Sequence, residues 1–410
     1  RMVKEQALTD YLNTSIGVAT ASLYMIEASM QVPPGYALFI PSALRKAVDL
    51  PVVGVGRFKD PLQAERALAE GHCDLVGVVR GQIADADFAA KARAGLADDI
   101  RLCLSCNQEC VGRMGLNRWL GCIENPVTGR EAEVDAGSHP ASQRRKVVVV
   151  GGGPAGLQAA STAAARGHDV VLFESSDQLG GQARIAASVP SRAEFGDIVR
   201  NLVHACRRAH VDIRVGVGAN VDTVMAERPD AVVVATGAQP ARPYWAPSDA
   251  GAVVDVRDVL EDRARPDGHV VVVDELGFHQ ATSVAELLAD RGCTVEVITP
   301  GMVVGQDLGV TLDLEHWNVR AAAKGIAQRT DLVPMAWVPG TLTLLHHPTG
   351  ENIEVVCDWV VLAVPQQPVE WLYRALRDMT GIDVHRVGDC VAPRRAHAAV
   401  IEGARVGAAL

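Results

Sequence analysis

Apolar residues in this chain fall in short runs between glycine-rich turns. Residues 147–150, 170–174, 231–235, 270–273, 294–299 and 358–363 are runs rich in β-branched side chains, the pattern of strands buried on both faces of a parallel sheet. Alanine-rich or helically spaced segments at 157–167, 283–291 and 396–410 predict the intervening and closing helices. The same alternation runs ahead of residue 100, with strands expected at 10–16, 51–56 and 74–79 and helices at 41–48, 61–70 and 85–94. Strand followed by helix, repeated, predicts an α/β protein with parallel sheets.

The second and third of these early strands end in glycine or arginine, at Gly54-Val55-Gly56-Arg57 and Gly77-Val78-Val79-Arg80-Gly81. Loops of this kind follow the last strands of a (β/α)₈ barrel, where they cradle a phosphate. A closed barrel needs eight such units, about 250 residues. The sequence is therefore expected to hold the C-terminal part of a barrel. The remainder would come from sequence ahead of Arg1 or from a second chain, since strands left alone expose apolar edges. The expected division is 1–100 for the barrel part, 101–143 for a cysteine segment and polar linker, 144–262 with 366–410 for a first nucleotide-binding fold, and 263–365 for a second.

Composition narrows this reading. The chain has 410 residues, 48% of them hydrophobic, and a net charge of -10, which suits a folded globular protein and argues against nucleic acid as a partner. Its apolar runs are far shorter than the ~20 residues that span a bilayer, so no membrane association is expected. Four of the nine cysteines crowd between Cys103 and Cys122 and the rest are scattered. That usage predicts a reducing, cytoplasmic setting with one local cysteine site rather than a disulfide framework.

The four, Cys103, Cys106, Cys110 and Cys122, are spaced C-x2-C-x3-C-x11-C. Structural zinc usually takes two close pairs, and only one is present. Three near ligands and one further on suit the corners of a [4Fe-4S] cluster. Zinc and four plain thiols are the competing readings. The cluster is favoured because a flavin-type motif follows in the same chain, and zinc has no redox chemistry.

That motif is Gly151-Gly152-Gly153-Pro154-Ala155-Gly156, between a four-valine strand and a helix, with Glu174 at the end of the next strand. Gly151 allows the tight turn, Gly153 the approach of a pyrophosphate to the helix N-terminus, and Gly156 close packing of helix on strand. Glu174 is placed to accept ribose hydroxyls and to repel a 2′-phosphate. Gly181-Gln182, Ala235-Thr236-Gly237 and Gly388-Asp389 favour FAD over NAD here. The second fold lacks the glycines. After Val273 it reads Asp274-Glu275-Leu276-Gly277-Phe278-His279, and two carboxylates at a pyrophosphate site oppose dinucleotide binding. His279, His346 and His347 are expected to be ordinary, satisfied histidines.

In this order of parts the chain resembles the multidomain Old Yellow Enzyme relatives, which include 2,4-dienoyl-CoA reductase, trimethylamine and histamine dehydrogenases and N-methyl amino-acid demethylases. The most specific residues are 54–57, 103–110, Gly121-Cys122-Ile123-Glu124-Asn125-Pro126 and Gly388-Asp389-Cys390-Val391-Ala392-Pro393-Arg394. The resemblance implies FMN at the barrel mouth, its phosphate held by Gly56, Arg57 and Arg80. The cluster would lie beside it, with FAD, or ADP in its place, in the first nucleotide fold. The insertion Asn107-Gln108-Glu109 resembles dienoyl-CoA reductase. The broken second motif and Ala392-Pro393-Arg394 resemble the amine dehydrogenases, and the broken motif weighs more because it bears on NAD(P)H binding. The resemblance thus implies oxidation of a small amine or N-methylated substrate, with electrons passing to an electron-transfer flavoprotein or another acceptor, in a homo- or hetero-oligomer. An NAD(P)H-dependent dienoyl-CoA or enoate reductase and an electron-transfer subunit are the rival readings. The family's proton-transfer residues lie on early barrel strands, so no catalytic residue is assigned.

Overall fold

A computed structural model describes residues 8–132, 139–247, 251–379 and 381–410. The chain forms two compact units that part at residues 133 and 134, inside the expected linker, of which 133–138 lie outside the described residues.

In the first unit, three short parallel strands, Leu12–Asn13, Val52–Gly54 and Leu75–Val76, lie in sequence order. Helix Phe39–Ala47 joins the first two, and Pro61–Ala69 the second and third. The latter starts where the sequence says it should: Asp60 accepts from Leu62 N at 2.8 Å and Pro61 fills the first turn. A small core of Phe58, Ala64, Ala67 and Cys73 lies beneath it. The third strand is shorter than expected because Val79, just past it, becomes the cap of helix Arg80–Ala84. The helix expected from Asp85 starts at Phe88 instead. Asp85 is buried and receives Asp87 N at 3.0 Å, Arg101 N at 2.8 Å and Lys91 Nζ at 2.6 Å, which fixes a turn there.

The second unit holds two five-stranded, wholly parallel sheets. The first runs Asp383–Arg386, Ala231–Val234, Lys146–Val150, Asp169–Phe173, Asp212–Arg214. The second runs Ala327–Arg329, Thr294–Ile298, His269–Asp274, Trp359–Ala363, Val253–Asp255. Helix Pro154–Ala165 packs along the closing helix Ala396–Ala409. Gly403 and Gly407 permit this, since a Cβ there would stand 2.4 Å from Ala155 O and 2.7 Å from Ala159 O.

Two features depart from the expected division. Val253–Asp255 was expected before the boundary at 262, yet its register against Val360–Leu362 places it in the second sheet. Helix Val256–Leu260 follows it through an Asp255/Asp258 capping box. The two folds are joined by an antiparallel ribbon of Ala238–Pro240 and Gln366–Pro368. An antiparallel sheet of Leu332–Val338, Thr341–His346 and Glu351–Val356, not anticipated above, is inserted in the second fold. Among the described residues no helix is long and apolar enough to cross a membrane.

Candidate functional site

The four clustered cysteines line one cavity, walled also by Ile83, Leu104 and Ile123 and reached by Arg80. Backbone amides point at the sulfurs: Ser105 N donates to Cys103 Sγ at 3.3 Å and Glu124 N to Cys122 Sγ at 3.4 Å. Burial, reinforced by the neighbouring cysteines, pushes the Cys106 and Cys122 thiols well up and Cys110 to about 11. Free of a cation they stay protonated at neutral pH, and a thiophilic metal would have to displace those protons. Among the described residues, no three His, Cys, Asp or Glu side chains are gathered closely enough to grip one metal ion. The four cysteines share the lining of one cavity.

The loop carrying them is held in an unusual conformation. Ser105 (φ 52°) and Asn107 (φ 55°) flank Cys106 in the left-handed region, which costs about 1 kcal/mol for each non-glycine residue. Arg57 and Arg80 meet these two residues. Arg57 Nη1 donates to Ser105 Oγ at 2.8 Å and Arg80 Nη1 to Asn107 Oδ1 at 2.6 Å. Arg57 is itself left-handed (φ 68°) and follows Gly56 (φ 151°). The sequence reading placed both arginines at a phosphate and did not foresee their contact with the cysteine segment. No local signal encodes it, because the partners are 48 and 27 residues away.

In the second unit, the residues picked out for FAD converge on one loop. A Cβ on Gly151 (φ 113°) would stand 2.3 Å from Ala235 O, and one on Gly156 would stand 1.9 Å from Gly151 O, so both positions exclude any side chain. Gly153 caps the helix with no neighbouring atom within 4 Å of its Cβ position, an open cradle at the positive end of a twelve-residue helix. Pro154 opens that helix. Gly181 approaches Gly153 Cα, and Gly388 approaches Ala155 Cβ. Gln182 Nε2 donates to Asp389 Oδ2 at 3.0 Å across 207 residues. Burial pushes the Asp389 carboxyl up, against hydrogen bonds from Arg394 N and Gln182. The Thr236 hydroxyl donates to Val369 O, while Gly237 (φ 72°) turns the chain. Glu174 accepts Gly152 N at 2.7 Å, Ser176 N at 2.8 Å and the Ser175 hydroxyl at 3.1 Å. A carboxylate has about four acceptor positions, so capacity is left for a ribose hydroxyl.

The second fold is closed at the corresponding place. Asp274 is fully buried and folds back: Oδ1 accepts Gly277 N at 2.7 Å and Oδ2 accepts Gly305 N at 2.8 Å. The position expected to repel a phosphate thus occupies loop amides instead. Phe278, not glycine, caps helix His279–Asp290. Arg395 lies over its ring at 4.3 Å and pairs with Asp307. His279 is satisfied, as expected: it is buried edge-on to Phe278, 3.3 Å from Asp313, and desolvation drives it down to about 4. His346 is half-buried and bonded to Thr349, and His347 is exposed and bonded to Pro300 O.

Residues 11–99 match the NADH:flavin oxidoreductase / NADH oxidase family, and residues 145–299 match pyridine nucleotide-disulphide oxidoreductase. The N,N-dimethylglycine/sarcosine dehydrogenase of Chromohalobacter salexigens is 34% identical over 92% of this chain and 60% of its own length. The NADH oxidase of Thermoanaerobacter brockii is 36% identical over 94% of this chain and 59% of its own. Among solved structures, the 6-hydroxypseudooxynicotine amine oxidase of Pseudomonas geniculata N1 superposes with a TM-score of 0.91 and 28% identity, over 99% of this chain and 63% of that one. The chain thus spans about three-fifths of the length of these relatives. With a flavin oxidoreductase barrel part followed by a pyridine nucleotide-disulphide oxidoreductase fold, the chain belongs to the multidomain Old Yellow Enzyme relatives, the family of 2,4-dienoyl-CoA reductase and trimethylamine dehydrogenase.

Proposed function

We propose that this chain is the cluster- and nucleotide-holding part of an iron-sulfur flavoprotein oxidoreductase that oxidises an amine or N-methylated substrate. The convergence of four cysteines on one cavity, Cys103 buried and Cys106, Cys110 and Cys122 half-buried, carries the reading. Cys103, Cys106, Cys110 and Cys122 would hold a [4Fe-4S] cluster, and Gly56, Arg57 and Arg80 the FMN phosphate. FAD, or ADP in its place, would lie along Gly151, Gly153, Pro154, Ala155 and Gly156. Glu174 would meet its ribose, and Gly181, Gln182, Ala235, Thr236, Gly237, Gly388 and Asp389 would line the rest. Held there, these groups would supply hydride acceptance at the flavin and one-electron transfer through the cluster toward an outside acceptor, such as an electron-transfer flavoprotein.

The chain's own residues do the holding. The cavity's apolar wall keeps water from the sulfurs, and Glu174 excludes a 2′-phosphate by charge. The substrate class follows the relatives named for dimethylglycine or sarcosine and for N-methylproline, and the closed second fold supports the direction. A relative named NADH oxidase keeps the opposite direction, reduction by NAD(P)H, as the second reading.

Two measurements test this. Metal analysis of the purified full chain should give about four irons and four acid-labile sulfides; zinc instead overturns the cluster. Anaerobic addition of NADH or NADPH should leave the flavin absorbance unchanged, and rapid bleaching overturns the direction.

A further inference from the structure

Arg57 follows strand Val52–Gly54 and Arg80 follows strand Leu75–Val76, and both reach the same short segment. Their targets, Ser105 and Asn107, are the two left-handed residues that flank Cys106. Both targets are buried. The Asn107 side chain is bracketed: its oxygen takes Arg80, and its amide donates to Glu27 O at 2.6 Å. The backbone is tied as well, Met30 N to Ser105 O and Gly112 N to Asn107 O, each at 2.8 Å. Arg80 also lines the cavity that the four cysteines share.

We propose that Arg57 and Arg80 are positioning residues for the cysteine loop, locking Cys106 through Ser105 and Asn107, and that Arg80 sets its positive charge against the cluster. This rests on the reading that the cysteines hold a cluster. A guanidinium has five donors in a rigid fork, so a hydrogen bond to the loop leaves donors for a phosphate on the other side. The two side chains assigned to the FMN phosphate would then also prearrange the neighbouring redox centre. A fixed cation beside a cluster favours its more negative, reduced form. A lysine at position 80 would keep the charge and lose the fork.

The experiment uses the full chain and the variants R80K, R80Q, N107A and S105A. It reads iron and sulfide per chain, the rate of iron loss to a chelator, and the midpoint potential by EPR-monitored titration. R80Q and N107A should lose iron about tenfold faster than the unmodified chain, the scale of outer-shell changes at metal sites. R80Q should also move the potential to more negative values. R80K should hold the potential near that of the unmodified chain while still losing iron faster, a split that a merely structural role would not produce. Where R80Q fails to fold, R80K and S105A supply the comparison, with S105A showing faster iron loss through release of Arg57. If the unmodified chain holds iron and the variants match it in retention and potential, the positioning role is overturned and the cluster reading stands. If the unmodified chain holds no iron, both fall.

Discussion

The second unit builds the same strand, loop and helix twice and finishes the loop in opposite ways. Both copies sit at the centre of a five-stranded parallel sheet and both strands are buried valine runs. In the first, three residues separate Val150 from the helix, and the last of them, Gly153, leaves its Cβ position empty. In the second, four residues separate Asp274 from the helix, and Phe278 fills the corresponding place. In each loop one amide, Gly152 N or Gly277 N, is nonetheless met by a carboxylate. Glu174 serves Gly152 from the neighbouring strand and leaves the cradle clear. Asp274, the last residue of its own strand, serves Gly277 and Gly305 and closes the loop. The sheet is indifferent to the choice. A nucleotide is not, because it needs amides and space left over once the fold has satisfied itself.

The largest effect should come from G156V. A Cβ at this position stands 1.9 Å from Gly151 O, so the helix must move off the strand, at a cost of about 3 kcal/mol or more. Nucleotide released on heat denaturation should be absent, and the melting temperature should fall. The counterpart helix carries the fully buried Ala281 near its start and therefore already houses a Cβ. Full nucleotide content in G156V would break the comparison at its root.

Next in size is a pH effect confined to the closed fold. The ordinary histidine pKa of 6.5 falls to about 4 at His279, chiefly by desolvation with Arg192 adding to it. Between those values the unfolded chain binds more protons than the folded one. Stability is therefore complete above pH 6.5 and drains away as pH falls toward 4, by about 3 kcal/mol at most. Urea midpoints taken across this window should flatten in H279Q. An equal slope in both proteins would show that His279 is not the group that titrates.

The sequence made the first copy legible because every requirement there is local: a valine run, glycines at fixed offsets, an acidic residue at the next strand end. It also exposed the second copy as broken, since missing glycines are visible without a structure. How the break is sealed was not visible. Gly305 lies 31 residues from Asp274, and Arg395, which reaches Phe278, lies just ahead of the closing helix. Val253–Asp255 was not read as a strand for the same reason: a three-residue strand has no periodicity of its own, and only its pairing with Val360–Leu362 identifies it. The antiparallel insertion did leave a period-two trace, Leu342 and Leu344 buried between less buried neighbours. The spacing of Gly403 and Gly407 likewise signals close helix packing, although what they pack against does not follow from spacing alone.

Smaller effects separate the two carboxylates. D274A strips two buried amides of their acceptor and should cost about 2 kcal/mol in urea unfolding, with nucleotide content unchanged and no gain of NADH binding. A gain of NADH binding would mean that Asp274 alone closes the second fold, with Phe278 and Arg395 incidental.

E174Q should be milder in stability, about 1 kcal/mol. Glutamine keeps one acceptor for Gly152 N but turns its amide toward both Ser176 N and the Ser175 hydroxyl, which share the other oxygen of Glu174. Its effect on the ligand should be disproportionate, because the ribose contact and the charge that repels a 2′-phosphate are lost together. The measurement is a pair of titrations of nucleotide-stripped protein, with ADP and with 2′-phospho-ADP. Weaker ADP binding with a narrowed preference between the two fits a carboxylate that serves both fold and ligand. Equal loss of stability in E174Q and D274A, with ADP affinity untouched, would make Glu174 another Asp274, a residue that closes a loop and reads nothing.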